Sequence, residues 1–173
     1  FLAQPVTADW ERELGRRLDL ANFADFQLLL NLFQNRNGYP FHYLLHDALV
    51  YDAERGTFFF VPWDFELTLH SKLSWEWLRN QFMVRMERDV PGYGQRLAAR
   101  WRELRTQGGV TPEALAARAD EAAAPLRGYV EWDYRRWGYG SDVGWENALA
   151  DFKFRLRESV AHMDKVLAPA LAP

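Results

Sequence analysis

The chain has 173 residues, 49% of them hydrophobic and 26% charged, a composition typical of a globular protein with one domain. Its net charge of −3 argues against a nucleic-acid partner, and the absence of cysteine excludes disulfides, thiolate metal sites and thiol nucleophiles. No apolar run approaches the roughly 18 residues of a membrane helix, so we expect no membrane span.

The first half of the chain predicts a buried helix followed by a short β-hairpin. Residues Asp19 to Phe33 place apolar side chains on one face, with Asp19 as the N-cap. Loop-forming residues from Gln34 to Pro40 end this helix. The segment Phe41 to Asp52 is typical of one or two strands, and after a turn Thr57 to Phe65 is typical of another. Its continuous apolarity predicts that both faces of this last strand are covered.

The second half predicts helices. They run from Ser74 to Asp89 with Ser74 as cap, from Gly94 to Gln107, from Thr111 onward with a break near Pro125 and Gly128, and from Asp142 to Leu167. Three tryptophans in helical patterns are assigned to the core: Trp101, Trp132 and Trp137. Four arginines are assigned to solvent and to intrahelical pairs: Arg96, Arg100, Arg102 and Arg105. The predicted fold class is α+β, mostly α-helical, with a small β-hairpin among about six helices.

Two carboxylates follow the last predicted strand, in the stretch "PWDFE" (Pro62 to Glu66), which we call the acid motif. A buried carboxylate is costly unless it is paired, protonated or bound to a metal. Asp64 and Glu66, two residues apart on a strand, would point the same way with a spacing of about 6.5–7 Å. The segments "NRNGY" (Asn35 to Tyr39) and "FHYLLHD" (Phe41 to Asp47) are expected to converge on them. Such a cluster of oxygen ligands suits Mg²⁺, which one or two carboxylates hold together with substrate phosphates.

The acid motif and its surroundings resemble the CotH kinase family, the spore-coat protein kinases with an atypical kinase fold. The pattern F-x-x-P-W-D-x-[DE] resembles the family signature, and "ANFADFQLLLNLFQNRNGY" is similar to the helix that leads into the family's catalytic loop. The later "RWRELR" helix and the "VTPEAL" helix start resemble its C-terminal helices. The resemblance extends from about Val6 to Leu167 and implies an atypical protein-kinase-like C-lobe.

The resemblance implies roles for three residues. The first acid of the family motif binds the metal on the nucleotide phosphates, and this role falls on Asp64. The second acid falls on Glu66, a longer carboxylate than the family's usual Asp. The catalytic-loop Asp of the family falls on Asn37, whose amide cannot accept a proton from the substrate hydroxyl as a carboxylate does. The implied cofactors are Mg²⁺ and ATP.

A further metal ligand of the family, an asparagine before a tyrosine, has two alternative positions in this chain. Without a gap the family positions fall on Phe41 and His42, neither of which is a good Mg²⁺ ligand. With a three-residue insertion they fall on His46 and Asp47, and Asp47 would serve. The two histidines are otherwise interpreted as core or edge residues of a strand.

The resemblance also implies that residues 1–173 are a single domain, the C-terminal lobe of a CotH-like kinase fold. The first lysine of the chain is Lys72, so no lysine precedes the acid motif to pair with the nucleotide phosphates. We therefore expect the nucleotide-binding N-lobe to be absent from this chain. Three alternatives stay open: it was cut away, it lies on another chain as a separate segment, or it was lost in evolution.

Three functions remain as hypotheses. The first is an atypical protein kinase lobe that, completed by an N-lobe, transfers a phosphoryl group from ATP to a hydroxyl of an acceptor protein, with chemistry impaired by Asn37. The second is a catalytically inactive pseudokinase-like scaffold or binding module. The third, glycoside hydrolysis by the Asp64 and Glu66 pair, fits a carboxyl separation of about 5–9.5 Å but has no other support. A plain structural role, as a cap or an ion-pair partner, also remains open for Asp64 and for Glu66. The family setting implies a bacterial spore coat or cell surface.

Overall fold

Helices dominate the computed structural model, which describes residues 7–35, 49–62, 65, 68–69, 77–138 and 142–171. The elements in chain order are α1 (Ala8–Arg17), α2 (Leu20–Leu32), β1 (Leu49–Asp52), β2 (Thr57–Phe60), α3 (Gln81–Asp89), α4 (Tyr93–Thr106), α5 (Pro112–Ala123), α6 (Arg127–Trp137) and α7 (Asp142–Leu167). Short 3-10 helices follow α5 and α7, at Ala124–Leu126 and Ala168–Leu171. The prediction of a mostly α-helical α+β fold with one β-hairpin is confirmed. Within the described residues, no helix combines the length and the apolar character needed to cross a lipid bilayer.

Local capping signals set most helix ends where the sequence predicts them. The Asp19 carboxylate accepts a hydrogen bond of 2.9 Å from the backbone N–H of Asn22 and starts α2. The Thr111 hydroxyl accepts one of 3.1 Å from the N–H of Ala114, with a proline at the first position of α5. Pro125 lies in the 3-10 turn that separates α5 from α6, which confirms the predicted break.

The two strands form an antiparallel hairpin that is fastened to the start of α2. Leu49 pairs with Phe60 and Asp52 with Thr57. In the turn, Gly56 has a φ of +67°, which favours glycine, and its N–H donates to the Asp52 carbonyl at 2.9 Å. The backbone N–H of Asp19 donates to the Phe58 carbonyl at 2.8 Å. The hairpin therefore has a fixed position against the connection between α1 and α2.

The core is built around α2, which is buried along nearly its whole length. The ring of Phe23 lies 5.1 Å from that of Phe60, 5.0 Å from Phe82 and 6.2 Å from Tyr93, measured between centroids. These contacts join α2 to β2, α3 and α4. The end of α7 completes the core with four buried apolar residues, Leu156, Val160, Met163 and Leu167. All four belong to the apolar stripe of this helix.

Two predicted boundaries are wrong. Strand β2 ends at Phe60 and not at Phe65, because Pro62 has no N–H for a ladder and Phe60 itself bonds to a side chain of α2. Helix α3 begins at Gln81 and not near Ser74, since residues 77–80 are not helical. Its N-cap is Asn80, whose side-chain oxygen accepts from the N–H of Met83 at 2.8 Å.

Several predicted burials are also wrong. Phe58 and Val61 are exposed, so the apolar strand is not covered on both faces. Trp101 is buried as predicted, but Trp132 and Trp137 are exposed. Both exposed tryptophans lie in residues 112–155, which comprise α5, α6 and the first half of α7 and which we call the helical arm. Ala123 is the one buried residue among the described side chains of this arm.

Two of the arginines predicted to be solvated or intrahelical instead join helices. Arg100 makes an intrahelical pair with Glu103 at 2.9 Å, but it also donates to both carboxylate oxygens of Asp25 in α2, at 2.7 and 3.0 Å. Arg105 donates to both carboxylate oxygens of Asp164 in α7, at 3.1 and 3.2 Å. Helix α4 is thus connected by charged pairs to α2 on one side and to α7 on the other.

Candidate functional site

Helix α2 carries amide side chains that contact the chain on both sides of the acid motif. Asn22 is half-buried and Gln27 and Asn31 are fully buried, as are Gln34 and Asn35 just beyond the helix end, although the rest of the helix is largely apolar. Buried polar groups are almost always hydrogen-bonded, because an unsatisfied one costs about 1–3 kcal/mol. The partners of these amides therefore show which segments α2 holds in place.

Before the acid motif, Asn22 holds the backbone of Phe60. Its side-chain oxygen accepts from the Phe60 N–H at 2.6 Å, and its side-chain nitrogen donates to the Phe60 carbonyl at 3.0 Å. The amide thus pairs with the backbone as a neighbouring strand would. This contact fixes the chain four residues before Asp64.

After the acid motif, Asn31 holds the backbone of Leu78 in the same way. Its side-chain oxygen accepts from the Leu78 N–H at 2.6 Å, and its side-chain nitrogen donates to the Leu78 carbonyl at 3.0 Å. The same nitrogen also donates to the Gln27 carbonyl of the preceding turn, at 2.9 Å. Two asparagines of one helix therefore fix both ends of the segment 61–77.

A partly buried hydrogen-bond network extends the second contact to α3 and α4. The Glu87 carboxylate accepts from the side chains of Gln27 at 2.6 Å, Trp77 at 2.9 Å and Arg79 at 3.2 Å. The hydroxyl of Tyr93 donates to the side-chain oxygen of Gln27 at 2.9 Å. Burial raises the pKa of the Tyr93 hydroxyl above its ordinary value, and the negative charge of Glu87 adds to the rise.

This network was not predicted from the sequence, because residues 74–89, which include Trp77 and Glu87, were expected to form a single helix. Polar residues inside an otherwise apolar helix, such as Gln27 and Asn31, are the signal from which it follows.

The C-terminal end of α2 contacts the acid motif directly. Phe33 and Phe65 meet edge to face, with ring centroids 5.9 Å apart. The backbone N–H of Leu69 donates to the Phe33 carbonyl at 3.1 Å. Both Gln34 and Leu69 have positive φ, of 48° and 50°, which is uncommon for residues other than glycine. The chain turns sharply at both positions, and these turns lie next to each other.

The contacts described above are made by residues that flank the predicted site residues in the sequence, and not by the site residues themselves. Asn37, Asp64, Glu66 and Asp47 lie outside the described residues, as do His42 and His46. Phe65, between the two acids of the motif, lies against the helix end from which the Asn37 loop continues. Because β2 ends at Phe60 and Phe65 is not in a strand, strand geometry no longer supports a common direction for Asp64 and Glu66.

The described residues contain no group of three or more histidine, aspartate or glutamate side chains that is placed to hold a metal ion. They do form an open groove of about 290 Å³ between α2, α4 and the end of β2. Its lining is mostly apolar and includes Phe26, Leu29, Phe60 and Pro62. Pro62 is the first residue of the acid motif, so the groove borders the segment that leads to Asp64.

The comparisons with known proteins agree with the resemblance seen in the sequence. The family model described as CotH kinase protein matches residues 1–165 of the 173-residue chain. Neither the curated proteins nor the solved structures include a match to the chain. The matched range includes the acid motif, the amide-bearing helix α2 and most of α7. The chain therefore belongs to the CotH kinase protein family.

Proposed function

We propose that this chain is the C-terminal lobe of a CotH-type protein kinase. Completed by an N-lobe, it transfers a phosphoryl group from ATP, with Mg²⁺, to a hydroxyl of an acceptor protein. The observation that carries the proposal is the family match over residues 1–165, which contains the Pro-Trp-Asp signature at residues 62–64. The contact between Phe65 and the end of α2 supports the proposal, because it brings a residue of the acid motif next to the helix end from which the predicted catalytic loop continues.

In this proposal Asp64 is the principal ligand of Mg²⁺, and Asp47 or Glu66 assists. Carboxylate oxygens are the ligands that Mg²⁺ takes from proteins, so these side chains fit the ion chemically. When bound, Mg²⁺ neutralises the charge that develops on the transferred phosphoryl group. The hydrogen bonds between Asn22 and Phe60 and between Asn31 and Leu78 hold the ends of the Asp64 segment while this charge develops.

The acceptor side of the proposed site contains Asn37 where the family has a catalytic aspartate. An amide orients an acceptor hydroxyl but does not take up its proton, so the chain lacks the usual general base at this position. General-base catalysis typically contributes a factor of about 10²–10⁴ to a rate. We therefore propose a slow kinase, and we expect Asn37→Asp to increase its rate.

Calorimetry with ATP and Mg²⁺ on the longest natural form of the protein tests the proposal. We expect Mg²⁺-dependent ATP binding that Asp64→Asn weakens at least about tenfold, equivalent to about 1.4 kcal/mol. Glu54→Gln is the matched control, because it removes one exposed carboxylate from the hairpin turn and should leave the affinity unchanged. Equal affinity in the wild type and in Asp64→Asn would contradict the proposed metal site.

The alternative is a catalytically inactive, pseudokinase-like scaffold or binding module. Two observations favour it: Asn37 replaces the family's catalytic acid, and no lysine precedes Lys72. A scaffold of this kind would bind no Mg²⁺ and ATP in the longest natural form, and Asn37→Asp would produce no phosphotransfer. For the 173 residues alone we expect no turnover on either hypothesis, since neither supplies the N-lobe.

A further inference from the structure

The C-terminal end of α2, from which the predicted catalytic loop continues, is held by three separate parts of the protein. An α-helix leaves its last four carbonyl groups without partners inside the helix, and a buried carbonyl needs a donor from elsewhere. At this end of α2 the carbonyl groups from Leu30 to Phe33 all accept hydrogen bonds. Their donors therefore show which segments fix the position of the helix end.

The first two of these carbonyl groups accept from the chain that directly follows the helix. The N–H of Asn35 donates to the Leu30 carbonyl at 2.9 Å. The N–H of Gln34 donates to the Asn31 carbonyl at 3.2 Å, which completes the hydrogen-bond pattern of a Schellman motif. Glycine is the usual residue at the left-handed position of this motif, which Gln34 occupies with a φ of 48°. The buried side chain of Gln34 also donates to the Asn31 carbonyl, at 2.9 Å, and so supports this conformation.

The next two carbonyl groups accept from distant parts of the chain. The hydroxyl of Ser159 in α7 donates to the Leu32 carbonyl, across 127 residues of sequence. The N–H of Leu69, shortly after the acid motif, donates to the Phe33 carbonyl at 3.1 Å. Helix α7 and the chain that follows the acid motif thus meet at two consecutive peptide groups of α2.

Ser159 is a polar residue on the buried side of α7. It is fully buried, and its neighbours Leu156, Val160 and Met163 belong to the apolar stripe of this helix. Alanine is slightly smaller and is the better helix former, so neither packing nor helix propensity requires a hydroxyl at this position. The hydrogen bond to the Leu32 carbonyl does require it.

Helix α7 is itself fixed close to this contact. Five residues beyond Ser159, the Asp164 carboxylate accepts from the indole N–H of Trp101 at 2.8 Å and from the guanidinium of Arg105 at 3.1 and 3.2 Å. Both donors belong to α4, so α7 cannot slide along α4 without breaking these hydrogen bonds. A side chain positions a site best when the element that carries it has a fixed place.

We propose that Ser159 is a positioning residue for the phosphotransfer site. Its hydroxyl holds the Leu32 peptide group and thereby fixes the adjoining Phe33. In this place the ring of Phe33 meets Phe65 of the acid motif, and its carbonyl accepts from Leu69. Ser159 acts through this helix end and not by contact with the nucleotide or the acceptor. The inference rests on the proposed function.

Hydrogen exchange at two backbone amides tests the contact without an assay of activity. In Ser159→Ala the Leu32 carbonyl loses its donor, and exchange of the Leu69 amide should become at least about fivefold faster, since an unsatisfied buried group is costly. The Phe60 amide, which donates to Asn22 near the other end of α2, is the internal reference. The quantity measured is the exchange rate of Leu69 divided by that of Phe60, in which a uniform loss of stability cancels.

Val160→Ala is the matched control. It removes buried side-chain atoms at the next position of α7 but leaves the Ser159 hydroxyl in place. If Ser159 only packs α7 against the core, both variants should change the ratio of exchange rates alike. Positioning predicts a ratio within about twofold of the wild type in Val160→Ala. Ser159→Cys, similar in size but with a weak S–H donor, should raise the ratio in the same direction as Ser159→Ala.

Calorimetry with ATP and Mg²⁺ on the longest natural form of the protein tests the role in phosphotransfer. Loss of a group that orients a metal ligand typically costs about 10–100-fold in affinity, and Ser159 is one contact further away. We therefore expect Ser159→Ala to weaken Mg²⁺-dependent ATP binding by about threefold to tenfold, and Val160→Ala to weaken it by less than about twofold.

Three results would overturn the role of Ser159: an unchanged ratio of exchange rates in Ser159→Ala, an equal rise of this ratio in Val160→Ala, or an unchanged ATP affinity in Ser159→Ala. Each of them leaves the proposed function standing, because the wild type still binds ATP with Mg²⁺. A wild type that binds no ATP would overturn the proposed function itself, and the role of Ser159 in phosphotransfer with it.

Discussion

The helical arm and the part of the protein built on α1 to α4 are both helical, but only the second is organised around a buried core. Helix α2 is surrounded by β2, α3, α4 and the end of α7, and most of its side chains are buried. Helices α5 and α6 of the helical arm together bury Ala123 alone among their described side chains. A helical pattern in the sequence therefore identifies a helix, whereas the elements packed around that helix decide whether its apolar residues become core.

Truncation of Phe23 is expected to have the largest effect on this comparison. Phe23 is fully buried among three aromatic rings, and Phe→Ala changes in a core cost about 3–5 kcal/mol. We expect Phe23→Ala to lose this amount in urea unfolding followed by circular dichroism. Trp132→Ala removes a larger side chain from the helical arm but should change stability by less than about 0.5 kcal/mol.

The two variants are compared with the wild type at the same protein concentration and temperature. Equal losses in Phe23→Ala and Trp132→Ala would mean that the helical arm is covered in solution within a single copy. The division between core and arm would then be wrong.

Loss of the Asn31 amide is expected to have the next largest effect. Asn31→Ala removes both hydrogen bonds to the backbone of Leu78 and leaves a buried N–H and a buried carbonyl without their partner. At about 1–3 kcal/mol for each unsatisfied group, with partial relaxation, we expect a loss of about 2–4 kcal/mol. Hydrogen exchange of the Leu78 amide should become faster in the same variant.

The matched control is Asn147→Ala, which makes the same chemical change at an exposed position of the helical arm. It should be neutral or slightly stabilising, because alanine is the better helix former. Unchanged hydrogen exchange of the Leu78 amide in Asn31→Ala would show that another group holds this segment. Helix α2 would then fix the chain before the acid motif, at Phe60, but not the chain after it.

A feature of the fold could be predicted when the residues that cause it are close together in the sequence, and not when they are far apart. The starts of α2 and α5 are set by Asp19 and Thr111, which cap the helix that directly follows them, and both were predicted. The end of β2 and the start of α3 were not. Local signals mark both, Pro62 after β2 and the Asn80 N-cap of α3. The non-helical chain beside each boundary, however, is held by Asn22 and Asn31, whose backbone partners are 38 and 47 residues away in sequence. No local pattern contains these pairings.

The burial of aromatic residues shows the same limit. Trp101 and Trp132 occur in similar helical patterns, yet the indole N–H of Trp101 donates to Asp164 of α7 at 2.8 Å while Trp132 is exposed. For the candidate site, the order of motifs predicted the family, and the family model confirms it. The roles of Asn37, Asp64, Glu66 and Asp47 stay predictions, because these residues lie outside the described part of the chain. The contact seen next to them, between Phe33 and Phe65, joins residues far apart in sequence, which no local pattern contains.

The third prediction, with the smallest change in the free energy of unfolding, concerns pH and compares a buried tyrosine of the core with an exposed one of the helical arm. Burial raises the pKa of Tyr93 above its ordinary value of about 10, so above this pH the unfolded chain loses the proton while the folded protein keeps it. Stability contributed by the neutral hydroxyl is complete below pH 10 and is lost as pH rises, at up to about 1.4 kcal/mol per pH unit.

Tyr93→Phe lacks this group and loses only the hydrogen bond to Gln27. Its deficit relative to the wild type should therefore shrink by about 1.4 kcal/mol between pH 8 and pH 11 in urea unfolding. Tyr129→Phe makes the same chemical change on an exposed ring of α6 and is the matched control. A deficit of Tyr93→Phe that stays constant up to pH 11 would mean that water reaches the buried network around Gln27.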